Sequence, residues 1–219
     1  MTQPRRKDDP VSQQAPRHFS MIRSFALADL LTLGNAFCGS GALFATIQYV
    51  DTGDRSFLWL AFALLPVALI LDVLDGTVAR WRRRSSPMGA DLDSLADVVS
   101  FGVAPAVLGY ALGLDGGWDA AILMYFIACG ISRLARFNVT AAELADEATG
   151  KVKYFEGTPI PTSLLLVAIL AVLASRGRVG DDVLFGVWQL GPMQLHPLVL
   201  MYALSGSAMI SKTLRIPKL

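Results

Sequence analysis

The sequence predicts an all-α, polytopic membrane protein with six transmembrane helices and an N-terminal amphipathic helix lying at the interface. Three observations carry this. The chain of 219 residues is 53% hydrophobic and only 17% charged, with a mean hydropathy of +0.49. Soluble domains are about 45–50% apolar, a figure that counts Gly, and about 25% charged. The apolar residues are also bunched into runs long enough to span a bilayer, at about 20 residues each, so six spans use roughly 120 residues. Finally, the basic residues segregate: 16 of the 19 fall on one side of a six-span layout. The remaining length suits tails and loops rather than a second soluble domain. Disorder, a coiled coil and a disulfide scaffold are excluded. Cys38 and Cys129 sit inside apolar runs and read as small hydrophobes.

Residues 1–17 are polar and rich in Pro and Gln, which predicts a disordered cytoplasmic tail, with 18–219 as the membrane domain. No short apolar core comes after them as it would in a cleaved signal peptide. Phe19, Ile22, Phe25, Ala26, Asp29 and Leu30 suggest the interfacial helix. The spans are expected at about 33–50, 57–80, 90–112, 119–137, 159–175 and 193–211. Each of the first four gaps between runs carries turn or charge signals, among them Asp51-Thr-Gly-Asp54 and Gly113 to Gly117. With the N-terminus cytoplasmic, only Arg55, Arg176 and Arg178 fall outside, which supports both the orientation and the number of spans. The net charge of +1 says nothing about partners, and no nucleic acid is expected.

The informative stretch is Asp72-Val-Leu-Asp75-Gly76-Thr-Val-Ala79-Arg80, succeeded by Gly89-Ala-Asp91-Leu-Asp93 and Asp97. Positions 72, 75, 76 and 79 share one helical face, and 89, 93 and 97 share a face of the next helix. A short cytoplasmic hairpin joins the two helices, so the faces can meet at that end of the bundle. An acidic residue in mid-membrane costs roughly 2.5–3.5 kcal/mol, so four unpaired ones would cost on the order of 10 kcal/mol. Arg80 alone does not offset that. Four hard oxygen donors call for Mg²⁺ or Mn²⁺, and two such ions form the usual clamp for displacement at phosphorus. Gly76 and Ala79 leave room for a bulky ligand beside them.

Plainer readings compete. A membrane Asp often makes a helix–helix hydrogen bond. Asp91 lies off the shared face and Asp29 sits near the interface, so solvation or capping is expected for both. Gly76, Ala79 and Gly89 also permit close helix packing, and Arg82 to Arg84 mark topology. A divalent-cation carrier is the rival functional class. Against it, the carboxylates gather near one membrane face, and no inverted repeat is visible.

The pattern D-x2-D-G-x2-A-R-x8-G-x3-D-x3-D, here Asp72, Asp75, Gly76, Ala79, Arg80, Gly89, Asp93 and Asp97, resembles that of the CDP-alcohol phosphotransferases without a departure. The resemblance implies a six-helix membrane fold, usually a homodimer, and transfer of a substituted phosphate from a CDP-linked donor to an alcohol with release of CMP. Within the family, residues 30–39, Ser100 to Pro105, Arg133 to Asn138 and Tyr154 to Pro161 are most similar to the serine-using, CDP-diacylglycerol-dependent branch. Thr158 departs from it, standing where Leu is expected.

The resemblance also implies roles for single residues. Asp72, Asp75 and Asp93 are expected to hold two ions, with Asp97 close enough to share one and to act as general base. Thr32, Leu33, Gly34, Asn35, Gly76, Ala79, Arg80 and Ser86 are expected to contact the nucleotide of CDP-diacylglycerol. A turn role before Pro87 competes for Ser86. Free L-serine carries a carboxylate, so its pocket should hold a cation, and Arg133 and Arg136, with Asn138 beside them, are the candidates. Choline would favour an aromatic cage, and inositol phosphate or glycerol phosphate more basic groups. Membrane lipids surround the protein, and the bacterial inner membrane is its expected location. The last two helices carry no readable motif and are expected to pack the bundle.

Overall fold

Burying long apolar runs beside each other forces helices, because backbone groups in lipid must pair within their own segment. The computed structural model describes residues 27–82, 87–146, 154–211 and 215–217. The expected tail, residues 19–26 of the interfacial helix and Ser86 lie outside the described residues.

Two long helices, α1 (Leu27–Thr52) and α2 (Arg55–Arg82), form a hairpin. The turn is built as the Asp51-Thr-Gly-Asp54 signal predicts. Gly53 takes a φ of +70° and its N–H donates to Tyr49 O at 2.8 Å. Asp54 then caps α2, accepting from the Ser56 N–H at 2.8 Å, which holds its carboxyl below the usual range. The third rod is composite. α3 (Pro87–Asp97) runs into a π-helical turn, Val98–Val103, and on into α4 (Ala104–Ala111). Next come α5 (Gly117–Asp146), then α6 (Ser163–Ser175) and α7 (Leu200–Ile210), the last two each entered through a 3₁₀ turn.

Among the described residues, four helical segments are long and apolar enough to cross a membrane: Asp29–Thr52, Arg55–Val78, Met88–Ala111 and Gly117–Val139. Ile160–Ser175 and Pro197–Ile210 are shorter apolar helices. The chain is thus mostly helical, with several membrane-capable helices, as expected of an integral membrane protein. Two small antiparallel ribbons qualify the all-α expectation. β1 (Tyr154–Glu156) pairs with β4 (Arg215–Pro217), and β2 (Trp188–Leu190) pairs with β3 (Met193–Leu195). Leu30 and Asp29 belong to α1 rather than to a separate interfacial helix.

The core includes Leu65, Phe101, Leu108, Phe126, Leu170 and Tyr202. α7 packs into it as the sequence suggests. The Tyr202 hydroxyl donates to Pro105 O at 2.6 Å, and its ring meets Phe126 edge-on at 5.2 Å. Cys38 and Cys129 are free and buried. At the end of α5 that starts at Gly117, buried Asp119 accepts from the N–H groups of Gly116 and His196, each at 2.9 Å, and shares a hydrogen bond with His196 Nδ1. Sequence reasoning misses this polar node. Its only signal is a pair of ionisable residues flanking apolar runs 77 positions apart.

α1 packs closely against the π turn. A Cβ on Gly39 would sit 2.7 Å from Ser100 Cα, a backbone atom that cannot swing away. Gly39→Ala is therefore expected to destabilise the protein by about 1–3 kcal/mol, as overpacking does. Thermal unfolding of the detergent-solubilised protein measures this, and a native midpoint would show that the two rods separate easily there.

Candidate active site

The carboxylates meet where α2 and α3, which both pack against α1, bring their acidic residues together. Asp72 and Asp75 lie one turn apart near the end of α2, and Asp93 lies on α3. One oxygen from each of the three falls within 4.8 Å of the others. Asp75 is buried and the other two are half-buried. Asp93 Oδ1 is shielded from solvent and has no hydrogen-bond partner. Three converging hard oxygens beside an unpartnered buried carboxylate oxygen fit a divalent cation, so the cluster can hold a metal ion.

Asp97 is buried beside this group and is held differently. It accepts from Asn35 Nδ2 at 3.2 Å, while Thr32 Oγ1 donates to Asp75 Oδ2 at 2.6 Å. Both donors come from α1. Asn35 is wholly buried and Thr32 is 4% exposed. Of the four α1 residues expected at the nucleotide, these two reach the cluster. Gly34 packs against Leu71, and Leu33 is exposed on another face.

Asp29 requires a correction. The sequence predicts solvation or capping; Asp29 does stand in the first described turn of α1, but it is buried rather than solvated, close enough to Asp75 for their charges to interact. Continuation of α1 back to Leu27 puts position 29 one turn from Thr32 on the same face, which carries it inward. Asp91 is exposed, as expected. Gly76 has no atom within 4 Å of where a Cβ would stand, so there is open space beside Asp75. Ala79 and Arg80 lie on α2 one turn further along.

The acceptor candidates separate. Arg133 is half-buried, within electrostatic reach of Asp97, and its Nε has no hydrogen-bond partner. Arg136 is exposed and donates to Ile210 O at 3.4 Å, at the end of α7. Asn138 Nδ2 donates to Ser94 Oγ at 3.0 Å and so ties α5 to the helix that carries Asp93. The loop before α6 closes on the same end of the bundle. Gly157 adopts a φ of +74° against Met209 O, which leaves no room for a side chain.

Residues 25–204 match the family described as CDP-alcohol phosphatidyltransferase. The chain belongs to this family. Among its relatives is a CDP-diacylglycerol–serine O-phosphatidyltransferase of Saccharomyces cerevisiae, 45% identical over 203 residues, which are 92% of this chain and 74% of the yeast protein. A protein of the same name from Mycobacterium leprae is 42% identical over 58% of this chain and 42% of its own length. An archaetidylserine synthase from Methanothermobacter thermautotrophicus is 39% identical over 67% and 58%. The chain thus spans about three quarters of the yeast relative and under two thirds of the other two.

For a family member whose three carboxylates converge in this way, Asp93→Asn is the sharpest probe, because it keeps the shape and removes one anionic ligand. Mn²⁺ affinity of the purified protein, measured by titration calorimetry, should fall at least tenfold, the lower end of what losing even an outer partner of a ligand costs (about 10–100-fold). Unchanged affinity in the folded variant would remove the metal site from this cluster.

Proposed function

We propose that this chain transfers the phosphatidyl group of CDP-diacylglycerol to the hydroxyl of L-serine, giving phosphatidylserine and CMP. The observation that carries the reading is the converging carboxylate set in a member of this family, with Asp97 beside the set and Arg133 within its electrostatic reach. The names of its relatives agree.

In this reading Asp72, Asp75 and Asp93 hold the divalent ions, two of Mg²⁺ or Mn²⁺, with Asp97 able to share one. The bound metal supplies positive charge for the pyrophosphate oxygens and for the departing CMP. The chain's own residues do the rest. The open space beside Gly76 takes the nucleotide, with Ala79 and Arg80 on the next turn of α2 and Ser86 further along the sequence as its other proposed contacts, and the acyl chains stay in lipid. Asp97 accepts the proton of the serine hydroxyl as it attacks the phosphorus on the diacylglycerol side. The new bond is serine oxygen to phosphorus. The bond that breaks joins that phosphorus to CMP, which leaves with the electron pair. Arg133 pairs with the serine carboxylate, and Asn138 holds the helix beneath it.

The two shorter apolar helices complete six membrane-inserted rods in this reading, preceded by an interfacial segment. The site faces the cytoplasm, where the basic loops gather. A bacterial inner membrane and a homodimer belong to the same proposal.

The test is direct. Purified protein receives labelled CDP-diacylglycerol and a panel of serine, choline, inositol phosphate and glycerol phosphate. Metal-dependent CMP release with serine alone is the expected result. Release with another alcohol reassigns the acceptor, and ion flux without CMP release supports a carrier instead.

A second measurement concerns the acceptor cation. Arg133→Ala should raise the serine KM about 10- to 150-fold, since a charge-assisted hydrogen bond is worth about 1.5–3 kcal/mol. The donor KM should change little. Arg136→Ala should leave the serine KM near native, because that guanidinium is at the end of α7. A normal serine KM in the Arg133 variant would place the cation elsewhere.

A further inference from the structure

We propose that the β2–β3 hairpin, with Phe185 and Trp118 beside it, is a membrane anchor: its apolar face docks in the lipid headgroup region on the membrane face opposite the carboxylate cluster. The proposal rests on the reading of α6 and α7 as membrane-inserted rods.

Those rods are short. At about 1.5 Å per residue, Ile160–Ser175 and Pro197–Ile210 extend about 24 Å and about 21 Å, against about 30 Å of hydrocarbon. The chain that joins them is therefore drawn toward the bilayer rather than lifted clear of it. It packs where α5 begins, at the far end of the third rod from Asp93. A Cβ on Gly117 would stand 2.8 Å from Met193 Sδ, and the His196 N–H donates to Asp119.

The register makes the ribbon two-sided. Trp188 pairs with Leu195 and Leu190 with Met193, while Gln189 pairs with Gln194. Side chains alternate along a strand, so four apolar residues share one face and two glutamines the other. Leu195 is buried against the bundle, whereas Trp188, Leu190 and Met193 extend past it, each about half exposed. Trp118, in the first turn of α5, adds a second half-exposed indole and donates through Nε1 to Leu190 O at 3.1 Å. Indoles favour the membrane–water boundary, where the ring lies in lipid and the N–H finds a partner. That depth also suits a two-stranded ribbon, whose unpaired edge groups need water or headgroups within reach.

Phe185 is the independent observation. The Gly186 N–H donates to Val183 O at 3.1 Å, closing a turn whose third residue is Phe185, with a φ of +73°. That position favours glycine. The side chain held in this costly conformation is an aromatic ring left 68% exposed. Neither the backbone nor the exposure is favourable in water, and lipid compensates for both. The hairpin's own loop, Gly191-Pro192, follows ordinary turn chemistry: Gly191 takes a φ of +64°, and proline at the second place fits a type II′ turn. The exposed apolar surface also runs on from the rods themselves, from Val172 on α6 and from Leu200 and Leu204 on α7.

The test reads depth in phosphatidylcholine–phosphatidylglycerol vesicles. Trp59, Trp81, Trp118 and Trp188 are the chain's four tryptophans. Protein that keeps only Trp188 should be quenched at least about twofold more by lipid brominated near the headgroup than by lipid brominated at the chain end, as an interfacial depth requires. In the background with all four changed to Phe, the Gln189→Trp reporter should be quenched by aqueous acrylamide more strongly than Trp188 is. Trp188 quenched as fully by acrylamide as that reporter, or most strongly by chain-end bromine, overturns the proposal. A second readout leaves the tryptophans in place. Cys38 and Cys129 are buried, so a membrane-impermeant maleimide reports added thiols. The Gln189→Cys variant should react at least about tenfold faster than the Leu190→Cys variant, since one side chain faces water and the other lipid. Equal rates overturn the anchor, and protection of both from maleimide with no lipid quenching of Trp188 means that protein, such as a second copy of this chain, covers the hairpin instead. The Leu204→Trp reporter, in the middle of α7, should be quenched most by chain-end bromine. Its failure to be so overturns the insertion of the rod itself, a different result from failure at the hairpin.

Discussion

Mutual repulsion among carboxylates at the end of a helix bundle is the constraint on which the rest of this structure depends. Asp72, Asp75, Asp93 and Asp97 come from two rods, and each is half-buried or buried. Like charges so close would drive the rods apart unless something holds the geometry before any ligand arrives. Neutral donors on α1 hold two of these carboxylates. Thr32 and Asn35 stabilise two of the charges without filling the space between them. A Lys or Arg in their place would satisfy the carboxylates permanently and compete with a metal for them.

Holding such a cluster requires helices that cannot slide, and the contacts at both ends of the bundle supply this. Near the cluster, the Ser100–Asn35 bond and the small residue at 39 lock α1 to the third rod. At the other end, the Asp119–His196 node and the Gly180 N–H donating to Leu112 O tie the loops to the start of α5 and the end of α4. Between them, Tyr202 bonds a carbonyl of α4. Buried polar bonds of this kind are each worth only about 0.5–1.5 kcal/mol, but a partner left unpaired costs about 1–3 kcal/mol. Their value lies in penalising every register but one.

The parts of this arrangement that obey simple periodicity are legible in the sequence. Spacings of three and four put Asp72 with Asp75 and Asp93 with Asp97, and the short hairpin between the helices means the faces have to meet. The turn at Gly53 obeys an equally local rule. The features that escape depend on how far a helix extends or on a change of helical type. Asp29 reads as interfacial only while α1 is begun at Leu33, whereas α1 already includes Leu27 and carries that residue inward. The π turn has no pattern of its own in Val98–Val103, yet it decides where Ser100 points. Leu33 groups with its neighbours by motif, although adjacent helix positions lie about 100° apart and face different surroundings.

The same geometry narrows the acceptor question further than residue type can. Arg133 and Arg136 are equivalent in chemistry and one turn apart, so sequence does not separate them. Serine is small, and its carboxylate is only a few bonds from the hydroxyl that attacks. Any cation that binds the carboxylate must therefore sit beside the group that takes the hydroxyl proton. Arg133 is within reach of Asp97 and has an unpaired Nε, whereas Arg136 is engaged with the last carbonyl of α7. A half-buried guanidinium with an unmet donor is costly by itself. It is tolerable where nearby carboxylates offset its charge and an arriving anion completes its hydrogen bonds. The proposed choice of acceptor thus becomes a matter of distance from Asp97, with the proposed proton acceptor and the proposed carboxylate binder on two helices that Asn138 and Ser94 tie together.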